Sequence, residues 1–209
     1  MIRAQSRRTA PRQAILAIHK SDPRWPVISR GLALDTVAAM SAANGFTLGF
    51  ACLTAEDARE IAPQLPAGVD LRLPPAESNG REAAVLARTY AEREFERVIT
   101  VAADTIGIST RLLSTASSVL ASEPAAIGLT PGGRVFAVAA RGELLVEPDE
   151  QLETAFRALT AVERLPKRAL RLEPLTRLRE VDDRDRLLEL VAGLERVVPR
   201  TIAALQGSD

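Results

Sequence analysis

With 209 residues, 46% of them apolar and 26% charged, the chain has an ordinary globular composition and is long enough to bury an α/β core of its own. Lys plus Arg and Asp plus Glu stand at 27 each, so no overall field favours nucleic acid, an anionic membrane or a polyanionic substrate. Cys52 is the single cysteine, which excludes an internal disulfide and a cysteine-built zinc site and suits a reducing cytoplasm.

The first 13 residues, "MIRAQSRRTAPRQ", are basic and lead into an apolar run far too short for a signal-peptide core. They read as a flexible tail ahead of one domain over 14–209. No uninterrupted apolar run approaches the roughly 20 residues of a membrane span. The expectation is a soluble cytoplasmic protein with no membrane and no nucleic-acid role.

From residue 14 onward, short apolar runs alternate with segments of helical period, the pattern of βα units around a mostly parallel sheet. "AILAIH" (14–19) reads as the first strand, and 30–43 as a helix stopped by Asn44-Gly45. "FTLGFACL" (46–53) reads as a strand, with Thr54 capping a short helix behind it. A weak strand at 69–73 and a polar loop, "PPAESNG", precede a helix over about 80–94. "RVITVAA" (97–103) is the strongest strand, its continuous apolar run fitting a position covered on both faces.

Ser109 then caps a helix carrying Leu112, Leu113, Ala116, Val119 and Leu120 on one side. Two strands, 124–130 and 134–141, flank the turn "PGG", and a helix follows over 149–160. The stretch "RALRLEPLTRLREV" reads as extended, and a last helix is expected to run from "VDDRD" to about residue 205.

Asp104 ends the most apolar strand, where open α/β sheets place their ligands. A carboxylate there could hold a divalent cation beside a nucleotide diphosphate. The same position also suits a cap of a turn or of the helix at Ser109 and Thr110. Gly132 and Gly133 could admit a ligand close to the backbone or simply form a hairpin turn. The loop and helix start at 74–83 could attract an anion, but Glu77 and Glu82 oppose phosphate. His19, the only histidine, follows the first strand without any nucleophile motif, and Cys52 reads as a small core residue. Asp182, Asp183 and Asp185 suit the start of the last helix. Neither a P-loop nor a G-x-G-x-x-G after a strand is present.

Three segments in order resemble one family. "RVITVAADTIGISTRLLSTASSVL" is similar to the strand and helix joined by G-S-D-x-P in the DUF2064 family, glycosyltransferase-like proteins related to the GT-A nucleotide-diphospho-sugar transferases and to the molybdopterin and phospholactate nucleotidyltransferases. "AAIGLTPGGRVFAVAAR" resembles its stretch ending in D-G-G-Y-Y-L-I-G, and "LREVDDRDRLLELVAGL" its closing D-V-D-T-x-x-D-L helix. "RGLALDTVAAM" is similar to the helix after its nucleotide-binding loop.

The resemblance implies a single-domain, three-layer GT-A-like α/β fold with a nucleotide or nucleotide sugar over the strand ends. It also implies Mg²⁺ or Mn²⁺ on Asp104, ligand contacts at Gly132 and Gly133, and matches to the last motif's aspartates at Asp182 and Asp185. Lys20, Arg24 and Arg30 stand in place of the family's basic phosphate loop of the type K-T-R-L, and Pro131 replaces the acid before its glycine pair. Two functional expectations follow: a glycosyl or nucleotidyl transferase, or a catalytically degenerate member serving as a binding or partner protein, in a homo-oligomer or with another protein.

Overall fold

The computed structural model describes residues 12–78, 80–160 and 172–207. In chain order the elements are β1 (Gln13–His19), α1 (Pro26–Ala42), β2 (Phe46–Cys52), α2 (Ala55–Ile61), β3 (Val69–Arg72), α3 (Glu82–Ala91), β4 (Arg97–Ala102), β5 (Thr105–Ile106) and α4 (Thr110–Ser122). They continue with β6 (Ala125–Leu129), β7 (Val135–Arg141), α5 (Gly142–Val146), α6 (Glu150–Thr160), β8 (Thr176–Arg177), α7 (Arg184–Val191) and α8 (Pro199–Gln206).

Six strands form one sheet in the order β3-β2-β1-β4-β7-β6, and only β7 runs against the rest. β1 and β4 lie at its centre, paired in parallel from Gln13↔Arg97 to Ile18↔Ala102. Their side chains alternate between two apolar layers, as the two-residue period of a strand requires. Ile15, Ala17, Ile99 and Val101 face the layer that contains α1, α2 and α4. Ala14, Leu16, Ile18, Val98 and Ala102 face α3, α5 and α6. Burial on both faces explains why these strands read as continuous apolar runs. The result is a mixed α/β domain of three layers with a mostly parallel sheet.

Local chemistry sets most helix ends. Thr54 accepts from the Asp57 N–H at 3.1 Å and Ser109 from the Leu112 N–H at 3.3 Å, both as expected from sequence. Pro26 opens α1 with its fixed φ, so that helix begins four residues before the expected 30.

The last helix is a correction. It is two helices, α7 and α8, because Gly193 adopts φ +81° just after α7 and Pro199 starts α8. α8 then returns against α1, where a Cβ on Gly31 would meet the Thr201 backbone at 3.1 Å. Buried Asp35 of α1 accepts from Arg200 N at 3.1 Å, Thr201 N at 3.0 Å and Thr201 Oγ1 at 2.7 Å. A side chain of one helix therefore caps the first turn of another.

The ribbon of β5 and β8 and the short α5 were not expected either. The expected tail lies almost wholly outside the described residues, as does the first part of "RALRLEPLTRLREV". Among the described residues no helix is long and apolar enough to cross a membrane.

Candidate functional site

The carboxyl ends of β1 and β4 meet where Ala103 N donates to Ile18 O at 2.8 Å, and Asp104 follows immediately. β5 and β8 pair antiparallel through Thr105↔Arg177, and Leu178 N donates to the Asp104 carbonyl at 2.7 Å. This short ribbon carries Arg177 and Arg179 onto the Asp104 side chain. Asp104 is only 2% exposed.

Its Oδ1 accepts from Arg177 Nε at 2.9 Å and lies 2.8 Å from a terminal nitrogen of the same guanidinium. Its Oδ2 accepts from Arg179 Nε at 2.7 Å. Arg177, also 2% exposed, gives its other terminal nitrogen to Val135 O at 3.0 Å and Leu159 O at 2.9 Å. Burial pushes the Asp104 pKa up, but the charges of Arg177 and Arg179 and their hydrogen bonds outweigh it and hold the acid below its ordinary value. Burial likewise pulls the Arg177 pKa down, against the raising influence of Asp104.

A divalent cation at Asp104 does not fit this arrangement. Both carboxylate oxygens already serve guanidinium donors, and an ion within the roughly 2.0–2.6 Å of a metal–oxygen bond would press against two cationic groups. Among the described residues no three His, Cys, Asp or Glu side chains gather as ligands. The expected helpers lie elsewhere: Asp183 caps α7 by accepting from Arg186 N at 2.8 Å, and Asp182 and Asp185 are exposed.

The glycine turn is likewise occupied from within. Gly133, at φ +81°, donates to Thr130 O at 2.9 Å, so its freedom serves a tight β6–β7 turn. A Cβ on Gly132 would stand 2.7 Å from Glu180 Oε1. That oxygen accepts from Thr130 Oγ1 at 2.9 Å and lies 3.6 Å from Arg134 Nε, while Oε2 accepts from Arg177 N at 3.2 Å. An acid of the same chain thus covers the turn where ligand contacts were one expectation.

Of the three expected cations, two are engaged. Arg24 donates to both oxygens of buried Asp22, at 3.2 and 2.9 Å, and to the carbonyls of Val181 and Arg179, at 3.3 and 3.2 Å. It ties the loop after β1 to the segment after β8. Burial raises the Asp22 pKa, but the Arg24 bonds prevail and lower it. Arg30 of α1 pairs with Glu60 of α2. Lys20 is exposed at the end of β1.

His19 is buried, stacked on Phe50 with ring centroids 6.1 Å apart, and its Nε2 is 3.8 Å from Asp57 Oδ1. Its Nδ1 has no hydrogen-bond partner among the described residues. Burial depresses the His19 pKa although Asp57 and Asp104 pull it up, so the ring is neutral near pH 7. Cys52, the β2 residue paired with His19, is fully buried, and burial raises its thiol to about 12. It is a core residue rather than a nucleophile.

Arg177, Arg179 and Glu180, which build this site, were missed in the sequence. Their available signal was "TRLRE": alternate arginines in an extended segment point the same way, as a buried lone acid would require.

The fold has solved counterparts, but no family model and no curated protein matches the chain. A 4-diphosphocytidyl-2C-methyl-D-erythritol synthase superposes with a TM-score of 0.59 at 11% identity, over 88% of this chain and 99% of that one. A provisionally assigned nucleotide-diphospho-sugar transferase from Desulfovibrio desulfuricans G20 gives 0.54 at 13% identity, over 70% and 74%. CMP:2-keto-3-deoxy-manno-octonic acid synthetase, solved with CTP, gives 0.51 at 12% identity, over 88% and 99%. At such identities the likeness shows the fold alone, that of the nucleotide-diphospho-sugar transferases.

Proposed function

We propose that the chain is a catalytically degenerate relative of the nucleotide-diphospho-sugar transferases, close to the DUF2064 group, that acts as a binding or partner protein and does not carry out metal-assisted transfer. The observation that carries this is the double engagement of Asp104 by Arg177 and Arg179. Transferases of this kind would need that carboxylate free to hold an ion against a donor diphosphate, and here it is buried and neutralised from within. The glycine turn closed by Glu180 and the first loop tied down by Arg24 point the same way. A nucleotide remains the best-supported ligand, since the fold is shared with proteins such as the CTP complex above.

The test is a turnover assay on the purified chain with NTPs and nucleotide sugars, with and without Mn²⁺, following nucleotide and diphosphate release. No product above the uncatalysed background is expected. Mn²⁺-dependent product that disappears in Asp104→Asn would sink the proposal.

A further inference from the structure

We infer that Arg177 and Arg179 are a built-in replacement for a divalent cation, and that the strand-end site takes a phosphate or diphosphate group without metal. The argument is one of charge and place. One carboxylate beside one divalent cation leaves a single net positive charge, and so does one carboxylate beside two guanidiniums. Asp104 with Arg177 and Arg179 therefore offers an incoming anion the charge of a metal-loaded site, held at the same strand end.

The two arginines divide the work. Arg177 is buried and engaged at all three of its nitrogens, by Asp104 and by two carbonyls, so it supplies charge and position only. Arg179 is different. Its side chain is 15% exposed and bonds Asp104 through Nε alone, and its two terminal nitrogens carry no hydrogen bond among the described residues. A guanidinium held at one edge with its outer edge free presents the planar donor fork that suits phosphate oxygens.

Arg179 lies beside the loop after β1. Its own carbonyl accepts from Arg24 of that loop, and its charge lowers the pKa of Asp22 there. The exposed Lys20 begins the same loop and provides a second cation. Asp22 and Glu180 are already paired, with Arg24 and Arg134 respectively, so they do not cancel this charge.

This inference rests on the proposed nucleotide ligand, and its test separates the two. Calorimetry of the full chain in EDTA, with inorganic pyrophosphate and separately with CDP, should show saturable binding. Excess Mn²⁺ should change the CDP affinity less than twofold, and Mn²⁺ alone should give no saturable signal by electron paramagnetic resonance. Arg179→Gln should weaken binding at least tenfold, Arg179→Lys should retain part of it, and Lys20→Gln, at an exposed position, should weaken it about threefold while leaving the fold intact. Tight pyrophosphate with weak CDP would mark a free-diphosphate site, and comparable affinities a nucleotide site; either supports the inference.

Absence of binding to both probes, binding that requires Mn²⁺, saturable Mn²⁺ uptake lost in Asp104→Asn, or unchanged affinity in folded Arg179→Gln and Lys20→Gln each overturns it. Metal-free binding accompanied by turnover would uphold the arginine site and overturn the non-transferring reading. Neither binding nor turnover would do the reverse.

Discussion

Arg177 reaches Asp104 across 73 residues of chain and places two guanidinium nitrogens, at 2.9 and 2.8 Å, on one carboxylate oxygen, with both side chains almost wholly removed from water. Such a pair is expensive to break from one side. Removing either partner leaves a buried charge with no opposite neighbour of equal quality, whereas replacing both with apolar groups leaves only the partly exposed Arg179 without its carboxylate.

Asp104→Leu or Arg177→Met is therefore expected to lower stability by about 3–5 kcal/mol. The double variant Asp104→Leu/Arg177→Met should lose less than the sum of its parts, with a coupling of about 0.5–3 kcal/mol. Urea unfolding of the four proteins checks this. Strict additivity would show that the pair is not the source of the loss.

Acid should act on Asp104 and His19 in separate windows. The Asp104 pKa is depressed in the fold, so its stabilisation is present above the ordinary value of 3.8 and is lost as pH falls through the folded value. His19 is also depressed, and for a base the folded state then binds fewer protons than the unfolded one. Its effect is a loss of stability as pH falls from about its ordinary 6.5 toward the folded value. His19→Asn should flatten the urea-midpoint profile just below pH 6.5 without altering the loss that sets in below 3.8.

The cap from α1 to α8 predicts a local effect. Asp35→Ala removes the acceptor of two backbone amides and the Thr201 hydroxyl, and should lower stability by about 2 kcal/mol, at the upper end of capping losses because the site is buried. Hydrogen exchange should quicken most over 199–206. Uniform quickening across the sheet would argue against a local cap.

Gly132→Ala should be harmful through Glu180 rather than through backbone strain, since the new Cβ would push Glu180 Oε1 off Thr130. In a Glu180→Ala background the same substitution should therefore have a smaller effect, a non-additivity of about 0.5–3 kcal/mol. Gly133→Ala, at φ +81°, should be harmful in both backgrounds by about 1 kcal/mol or more. Thermal melts of the five variants separate the two glycines.

The order of strands and helices was legible because its signals are local. A strand covered on both faces is apolar throughout, as in "RVITVAA", and Thr54 and Ser109 mark their helices by chemistry within three residues. The ribbon was not, because Thr105–Ile106 and Thr176–Arg177 are each two residues long and have no period to detect. The partners of Asp104 lie 73 and 75 residues away, a distance that no local pattern spans. In the last segment both breakers, Gly193 and Pro199, were in plain view. Leucine and valine spacing runs across them, and the periodicity outweighed the punctuation.

The Asp104–Arg177–Arg179 cluster also bears on how such a site could change over evolutionary time. Opening the carboxylate would require both arginines to go: loss of Arg179 leaves a matched buried pair, and loss of Arg177 as well leaves Asp104 a buried charge with no partner. Each step adds to that uncompensated charge, so the open carboxylate lies uphill of the arginine-paired one. Descendants are held on the arginine side unless compensating stability arrives first.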